Sequence, residues 1–314
     1  MAVDMAEGVT VTRADVERAA ERIGGHARRT PVLEAEPGVL FKLEFLQHAG
    51  SFKARGAFNR VLAAREAGEA PAGGVIAASG GNHGLAVAHV ARSLGVRAEI
   101  FVPEVTGEVK VAGLRALGAE VTQTGAVYSD AYAASRARAA LTGALEVHAY
   151  DHPDVVAGQG TVGAELLEQA GGVDTILVAV GGGGLIAGVT AAVADKAAVV
   201  AVEPERIPTL ERALAAGRPV DVEVGGVAAD ALGATRVGGL AFELVRRAGV
   251  GSLLVTDDAI VAARAELWRA HRIAVEPAGA AAYAALLSGV YRPRPGERVA
   301  VVLCGANTDP ATLA

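Results

Sequence analysis

Cysteine and lysine are the scarcest reactive side chains in this sequence. Its 314 residues include one cysteine, Cys304, and only four lysines against twenty-five arginines. A single cysteine excludes an intramolecular disulfide and fits a reducing compartment, so we expect a cytoplasmic protein. Because lysine is so rare, a lysine set among glycines indicates chemistry rather than general surface charge.

Charged and aromatic residues are also few, at 20% and 4%, whereas 52% of residues are hydrophobic and forty are glycine. This composition is typical of a well-buried globular enzyme and excludes a disordered chain. The net charge is −6 and the basic residues are scattered, so we expect no nucleic-acid partner. No long apolar run opens the chain, so we expect no signal peptide. Residues 175–194 carry no charge, but four central glycines favour a strand, a turn and a helix over a membrane span.

Strand-like and helix-like segments alternate along most of the chain. Short apolar patterns predict strands at residues 32–34, 39–43, 74–78, 97–102, 119–121, 145–148, 175–180, 198–202 and 299–303. Helical spacing predicts helices from residue 13 and at residues 52–67, 82–94, 109–117, 126–141, 161–169, 185–194, 257–272 and 278–287. Residues 207–251 form a less regular stretch that is rich in glycine. Nearly continuous apolar strands separated by helices predict an α/β fold with parallel sheet.

We predict two α/β domains, each with a parallel sheet, around a cleft. Residues 1–70 and 152–314 would form the larger domain, and residues 71–151 the smaller one. Ligands of such folds bind at the carboxyl ends of strands, where we place three glycine-rich turns.

The first turn is Gly-Ser-Phe-Lys-Ala-Arg-Gly at residues 50–56. It places Lys53 at the start of a predicted helix, where the helix dipole disfavours a cation and lowers the pKa of the amine. A partly desolvated amine of this kind can react with an aldehyde. The alternative is an ordinary solvated lysine in the first turn of a helix.

The second turn is Ser-Gly-Gly-Asn-His-Gly at residues 79–84. Backbone N–H groups at the helix start can hold a carboxylate, and the Asn82 amide can hydrogen-bond a ring oxygen. The alternative is an asparagine helix cap followed by a buried histidine, His83.

The third turn is the tetraglycine of residues 181–184, between a buried strand and a helix. Glycine lets backbone N–H groups approach a phosphate closely, although a simple tight turn explains the pattern equally well. The turn lacks the Lys-Ser/Thr ending of a P-loop. An amine, a polar loop and a phosphate-type loop together indicate an aldehyde cofactor that carries a phosphate. Pyridoxal phosphate fits that description, whereas a Rossmann nucleotide-binding protein would give Lys53 no purpose.

Three further residues could take part in chemistry. The Cys304 thiol could face a ring nitrogen or simply be a buried apolar group. Glu203 and Glu276 each precede a proline and are interpreted as acids at helix starts.

Six motifs occur together in this chain: residues 42–56, 79–84, 157–161 (Ala-Gly-Gln-Gly-Thr), 181–184, 276–277 (Glu-Pro) and 303–305 (Leu-Cys-Gly). In this order and over nearly the whole chain, they resemble the fold-type-II pyridoxal-phosphate enzymes (the tryptophan synthase β-like fold). The particular resemblance is to the serine/threonine dehydratase and serine racemase family. Members of this family bind the cofactor in the cleft between two α/β domains.

The resemblance implies a role for each motif. Lys53 would be the Schiff-base lysine, with Phe52 and Ala231 on opposite ring faces. Asn82 would bond the ring 3-oxygen, and Cys304 would face the ring nitrogen. The full set of implied cofactor-binding residues is Phe52, Lys53, Asn82, Gly181, Gly182, Gly183, Gly184, Leu185, Ala231, Glu276 and Cys304. The implied substrate-binding residues are Ser51, Ser79, Gly80, Asn82, His83, Gly84 and Tyr150.

The implied reaction is β-elimination of L-threonine or L-serine to a 2-oxo acid and ammonia, by a homodimer. A hydroxyaspartate dehydratase, a β-replacement synthase and a non-catalytic pyridoxal-phosphate-binding protein remain alternatives. Racemases of this family carry a second acid/base serine where this chain has Gly80, so we expect little racemisation. Glu203 matches one ligand of the family's metal site, but the second ligand is replaced by Thr209, so we expect no metal.

Overall fold

The fold contains ten strands and twelve α-helices within residues 10–69 and 73–313, which the computed structural model describes. The strands are β1 Val32–Glu36, β2 Val39–Lys42, β3 Val75–Ala78, β4 Ala98–Val102, β5 Glu120–Gln123, β6 Leu145–Glu146, β7 Thr175–Ala179, β8 Ala198–Pro204, β9 Ser252–Val255 and β10 Val299–Val302. The helices are α1 Arg13–Ile23, α2 Lys53–Glu66, α3 Asn82–Leu94, α4 Glu108–Ala116, α5 Tyr128–Thr142, α6 Pro153–Ala170, α7 Gly184–Val193, α8 Thr209–Ala216, α9 Ala229–Leu232, α10 Gly239–Arg247, α11 Asp257–His271 and α12 Pro277–Leu287.

Two separate sheets confirm the predicted α/β class. The larger has the strand order β1-β2-β10-β7-β8-β9, and the smaller has the order β5-β4-β3-β6. All neighbouring strands run parallel except β1 and β2, which are antiparallel. β3, β4, β7 and β10 are buried at every position, as expected for parallel strands covered by helices on both faces.

Helix α2 belongs to the packing of both sheets. Its sequence follows β2 of the larger sheet, yet Ala54, Ala57, Phe58 and Val61 lie in the hydrophobic core of the smaller sheet. The division of the chain into 1–70 with 152–314 and 71–151 follows the two sheets and stays a prediction. The boundary itself, at residues 70–72, and residues 1–9, where we expect no signal peptide, lie outside the described residues.

Helix α6 begins at Pro153 and not near residue 161 as predicted. Its glycines weaken the helical pattern of the sequence, so the pattern alone did not show the first turns. The His152 side chain caps the helix by accepting a hydrogen bond from Asp154 N. A Cβ on Gly158 would lie 2.7 Å from the Gly56 Cα, and one on Gly160 would lie 2.7 Å from the Gly188 oxygen. These glycines therefore allow α6 to cross α2 and α7 closely, a packing reason that the helical pattern does not show.

Residues 207–251, which the sequence predicted only as a less regular stretch, contain helices that were not predicted individually. The stretch contains α8, α9 and α10, and β9 begins one residue after it. Helix α9 is only four residues long, and the first turn of α8 is capped by Glu203 from β8 rather than by a neighbour in sequence. The charge-free residues 175–194 form β7, the tetraglycine turn and α7, and no helix of the described part of the chain is long and apolar enough to cross a membrane.

Candidate active site

Two adjoining cavities lie where the turns of both sheets meet. The larger has a volume of about 440 Å³ and is lined by Lys53 and residues 78–83. The narrower has a volume of about 40 Å³ and is lined by the tetraglycine, Phe52 and Cys304. Lys53, Asn82, Tyr150 and Gly182 line both cavities, so the structure brings most of the predicted site residues together.

Two of the three predicted turns directly follow strands, and one does not. The turn at residues 79–84 follows β3, and the tetraglycine follows β7. Lys53, in contrast, follows β2 only after two short 3₁₀ turns. Its position is set by β10 instead, because Phe52 N donates to Cys304 O at 3.1 Å and Ser51 pairs with Gly305.

Lys53 presents an amine that burial makes less basic. Its Nζ donates to Ala149 O at 2.7 Å and lies 5.3 Å from the Phe52 ring centroid. Burial lowers the pKa of Lys53 to about 8, although the nearby Glu276 carboxylate opposes that shift. Lys53 does begin a helix, as predicted, but burial rather than the helix dipole is the main cause of its lowered pKa. A substantial fraction of the amine is therefore neutral near pH 8.

The narrower cavity, which we call the slot, lies beside this amine. Phe52, Leu185, Ala231 and Cys304 all line it. Burial raises the pKa of the Cys304 thiol to about 12, so the thiol is neutral, and its Sγ lies 3.6 Å from Ala278 O. A neutral partner at this position cannot supply the charge that would keep a ring nitrogen protonated.

The Asn82 amide is held by two neighbours. Its Nδ2 donates to Glu276 Oε1 at 2.6 Å, and its Oδ1 accepts from Asn307 Nδ2 at 2.6 Å. Asn307 also donates to Ala49 O at 2.8 Å, which fixes the orientation of its amide, because a carbonyl can only accept. Burial raises the pKa of Glu276 to about 7. Sequence reasoning missed Asn307, for which the only signal was its place just after Cys304-Gly305.

Residues 79–83 of the second turn line the larger cavity and lead into the start of α3, where backbone N–H groups lack partners within the helix. Ser79 Oγ accepts from Gly81 N at 3.2 Å and shapes the turn. A Cβ on Gly84 would overlap the Ser79 carbonyl oxygen, so only glycine fits there. A Cβ on Gly80 would lie 3.1 Å from Thr106 Cγ2. His83 is buried and its Nε2 is 2.7 Å from Val147 O, which leaves only its backbone N–H for a substrate.

The tetraglycine turn packs closely on all sides. Gly183 has φ +87°, in the left-handed region, and precedes the first turn of α7. A Cβ on Gly181 would lie 2.8 Å from Leu232 O, and one on Gly182 would overlap the Tyr150 ring. The glycines are therefore needed for packing, and the same backbone leaves free N–H groups at the start of α7, which suit a phosphate.

Ser51, another predicted substrate-binding residue, is fully buried. Its Oγ has no hydrogen-bond partner within the part of the chain that the structure describes. A buried hydroxyl without a partner costs free energy, so this group is available to a ligand beside Lys53.

Glu203 is not in the first turn of a helix, which corrects its interpretation. It lies on β8, and its carboxylate accepts hydrogen bonds from Leu210 N at 2.8 Å and Glu211 N at 2.9 Å. Thr209 Oγ1 and Ser252 Oγ also donate to it. Its carboxylate is therefore used to cap α8 from a neighbouring strand.

Among residues 10–69 and 73–313, no three His, Cys, Asp or Glu side chains form a cluster suited to a metal ion.

A buried ion-pair network explains the remaining charged residues of the Lys53 motif. Arg55 donates to Glu44 at 2.7 and 2.8 Å and to Glu165 at 3.0 Å, and Lys42 donates to Glu165 at 2.6 Å. Lys42, Glu44 and Arg55 are at most 2% exposed. The network fixes the start of α2, and with it Lys53, to α6. The motif drew attention to these residues, but only the structure assigns them a role.

The burial of His83 predicts that the folded protein loses stability at acidic pH. Burial, and then the charge of Lys53, lowers the pKa of His83 to about 3. A histidine with a lowered folded-state pKa takes up its proton mainly on unfolding, so its contribution to stability is lost as the pH falls below about 6.5. We expect His83 alone to cost about 3 kcal/mol of unfolding free energy between pH 7 and pH 4, measured by urea denaturation. His83→Gln should flatten the pH dependence by that amount, and an unchanged slope would contradict the assignment.

The residues present fit pyridoxal phosphate. A narrow slot lined by Phe52, Leu185 and Cys304 adjoins Lys53, and the tetraglycine offers N–H groups to a phosphate. The Ser51 hydroxyl, two positions before Lys53, is buried without a hydrogen-bond partner among the described residues. Lys53 is the one lysine that reaches both cavities. Such a site is typical of an enzyme that binds an aldehyde cofactor through a lysine.

Comparison with known proteins gives the same assignment. A family model described as "Pyridoxal-phosphate dependent enzyme" matches residues 23–305. The chain is 39% identical to a phenylserine dehydratase of Ralstonia pickettii over 93% of this chain and 92% of that protein. It is 35% identical to an L-threonine ammonia-lyase of Thermotoga maritima, over 95% of this chain and 76% of that protein. Maize serine racemase has the same fold, with a TM-score of 0.90 and 31% identity over 97% of this chain and 96% of that one.

This chain therefore belongs to the pyridoxal-phosphate-dependent enzyme family, and to its ammonia-lyase branch of β-eliminating enzymes. The predicted cofactor and fold type are confirmed.

Proposed function

We propose that this chain is an ammonia-lyase that converts L-threonine, L-serine or both into the 2-oxo acid and ammonia. The single observation that carries the proposal is the buried Lys53 amine, with its pKa lowered to about 8, at the junction of a slot for the cofactor and a cavity for an amino acid. An amine with this pKa can accept and return a proton near neutral pH.

Each neighbouring group has a separate task. The N–H groups at the start of α3 bind the substrate carboxylate and place the Cα–H bond beside Lys53 Nζ. The tetraglycine N–H groups would hold the phosphate, Phe52 and Ala231 would confine the ring, and neutral Cys304 would face its nitrogen. When bound, pyridoxal phosphate supplies an electron-withdrawing ring that stabilises negative charge at the substrate Cα.

The residues of the chain move one proton from Cα. Lys53 takes that proton and returns one to the Cβ hydroxyl, which leaves as water. Hydrolysis of the released enamine then consumes one water, so the amino acid yields one 2-oxo acid and one ammonia. Because residue 80 is glycine, no side chain at that position can deliver a proton to the opposite face of Cα. This supports elimination over racemisation.

We propose that the functional unit is a homodimer in the cytoplasm, with the two-domain division given above. Symmetric dimers are the commonest assemblies of soluble enzymes. The role of Cys304 requires a free thiol, and Cys304 is free and buried, which fits a reducing compartment. Light scattering of the purified holoenzyme tests the assembly.

The proposal is tested by measuring 2-oxo acid and ammonia from L-threonine, L-serine and L-threo-3-hydroxyaspartate. We expect equal amounts of both products from threonine or serine. Turnover of hydroxyaspartate alone would move the assignment to that dehydratase. Turnover only of an activated serine with an added thiol would indicate β-replacement, and cofactor binding without any turnover would indicate a non-catalytic binding protein.

A further inference from the structure

One part of the larger cavity is not used in the proposed function. It contributes neither the Lys53 amine nor the groups proposed to bind the substrate carboxylate and the cofactor phosphate. We call it the outer subsite and define it by Val105, Lys110, Tyr128, Asp230, Gly233 and Ala234. Its walls come from both sides of the cleft, with the first three residues from the smaller-sheet region and the last three from the region around α9. It lies in the same cavity as Lys53, whose amine takes the Cα proton in the proposed reaction.

Apolar and aromatic surface is left open in the outer subsite. Tyr128 is 53% exposed and Val105 is 80% exposed, although both line a cavity. The Tyr128 ring stacks on Tyr132, with centroids 6.0 Å apart and an interplanar angle of 8°. A stacked ring held in this way is a rigid surface for another aromatic ring, and covering it removes apolar area from water. Gly233 and Ala234 have small side chains and leave room opposite.

The charges of the outer subsite are already paired. Lys110 Nζ forms an ion pair with Asp230 Oδ1 across the cleft. Apart from Lys53, these two are the only charged residues that line the cavity among the described residues. A second carboxylate on the substrate would have to separate this pair or lie beside Asp230. The subsite therefore disfavours an anionic β-substituent.

We propose that the outer subsite binds the β-substituent and accepts an aryl ring, with Tyr128 as a specificity-determining side chain. The substrate class is a β-aryl-β-hydroxy-α-amino acid such as L-threo-3-phenylserine. This inference rests on the proposed β-elimination. The Cα proton goes to Lys53, the Cβ hydroxyl leaves as water, and hydrolysis of the enamine consumes one water, so phenylserine gives phenylpyruvate and ammonia.

The experiment compares kcat/KM of the holoenzyme for L-threonine, L-threo-3-phenylserine and L-threo-3-hydroxyaspartate. We expect phenylserine to equal or exceed threonine, and hydroxyaspartate to be the poorest of the three. In Tyr128→Ala, the ratio of phenylserine to threonine should fall about tenfold through loss of the ring contact. Tyr128→Phe keeps the ring and should retain the wild-type ratio.

The outcomes separate this inference from the proposed function. Turnover of threonine without phenylserine overturns the aryl subsite and leaves the ammonia-lyase intact. Loss of both activities in equal proportion in Tyr128→Ala also overturns it, because a merely structural role would not change the ratio. A preference for hydroxyaspartate overturns the charge argument. No turnover of any hydroxy-amino acid, with the cofactor bound, contradicts the proposed function itself.

Discussion

Lys53→Ala is expected to abolish turnover, with a loss of at least about 10³-fold in kcat. Among the described residues, Lys53 supplies the only amine that lines both cavities, and proton transfer by a positioned side chain contributes on the order of 10²–10⁴-fold by itself. Lys53→Arg should be equally inactive, because a guanidinium stays charged and cannot accept a proton. The measurement is formation of 2-oxo acid from threonine and serine at saturating pyridoxal phosphate.

A matched control separates chemistry from folding. Lys196→Ala makes the same change at an exposed lysine and should keep wild-type activity. The Lys53 variants should unfold at a urea concentration close to that of the wild type, because the buried amine makes only one hydrogen bond. Residual turnover above one-tenth of wild type in Lys53→Ala would rule out Lys53 as the reactive amine.

Arg55→Met is expected to reduce the free energy of unfolding by about 3–5 kcal/mol. The change leaves the fully buried Glu44 without its cation and weakens the hold on Glu165. A buried carboxylate without a partner loses its hydration and gains nothing in return, so the penalty is larger than the worth of the ion pair. Urea denaturation of the holoenzyme at pH 7 measures it.

Two comparisons make that prediction specific. Arg13→Met breaks the exposed Arg13–Glu17 pair and should cost less than about 1 kcal/mol. Adding Glu44→Gln to Arg55→Met removes the stranded charge and should recover part of the loss. A change below about 1 kcal/mol in Arg55→Met, or no recovery in the double variant, would show that the network does not hold the start of α2.

Local signals in the sequence were sufficient for most helices and strands. Helix α1 has a Thr12 and Asp15 capping box, and β7 is an apolar run followed by four glycines, so both are encoded by neighbours in the chain. The start of helix α6 and the helices within residues 207–251 were not predicted, because their causes are distant. The glycines of α6 are explained by α2 and α7, and the first turn of α8 is capped from β8.

The sequence by itself predicted the three glycine-rich turns, the parallel α/β class and the cofactor, and it singled out Lys53, which we propose as the reactive lysine. These follow from residue types at short spacing, where backbone conformation and side-chain chemistry are set locally. Only the tertiary structure decided why the Lys53 amine loses basicity, how Asn307 orients Asn82, and that Arg55 holds α2 to α6. Burial, ion pairing and the walls of a cavity depend on residues up to 258 positions apart, as in the hydrogen bond from Asn307 to Ala49, and on packing that no local pattern records.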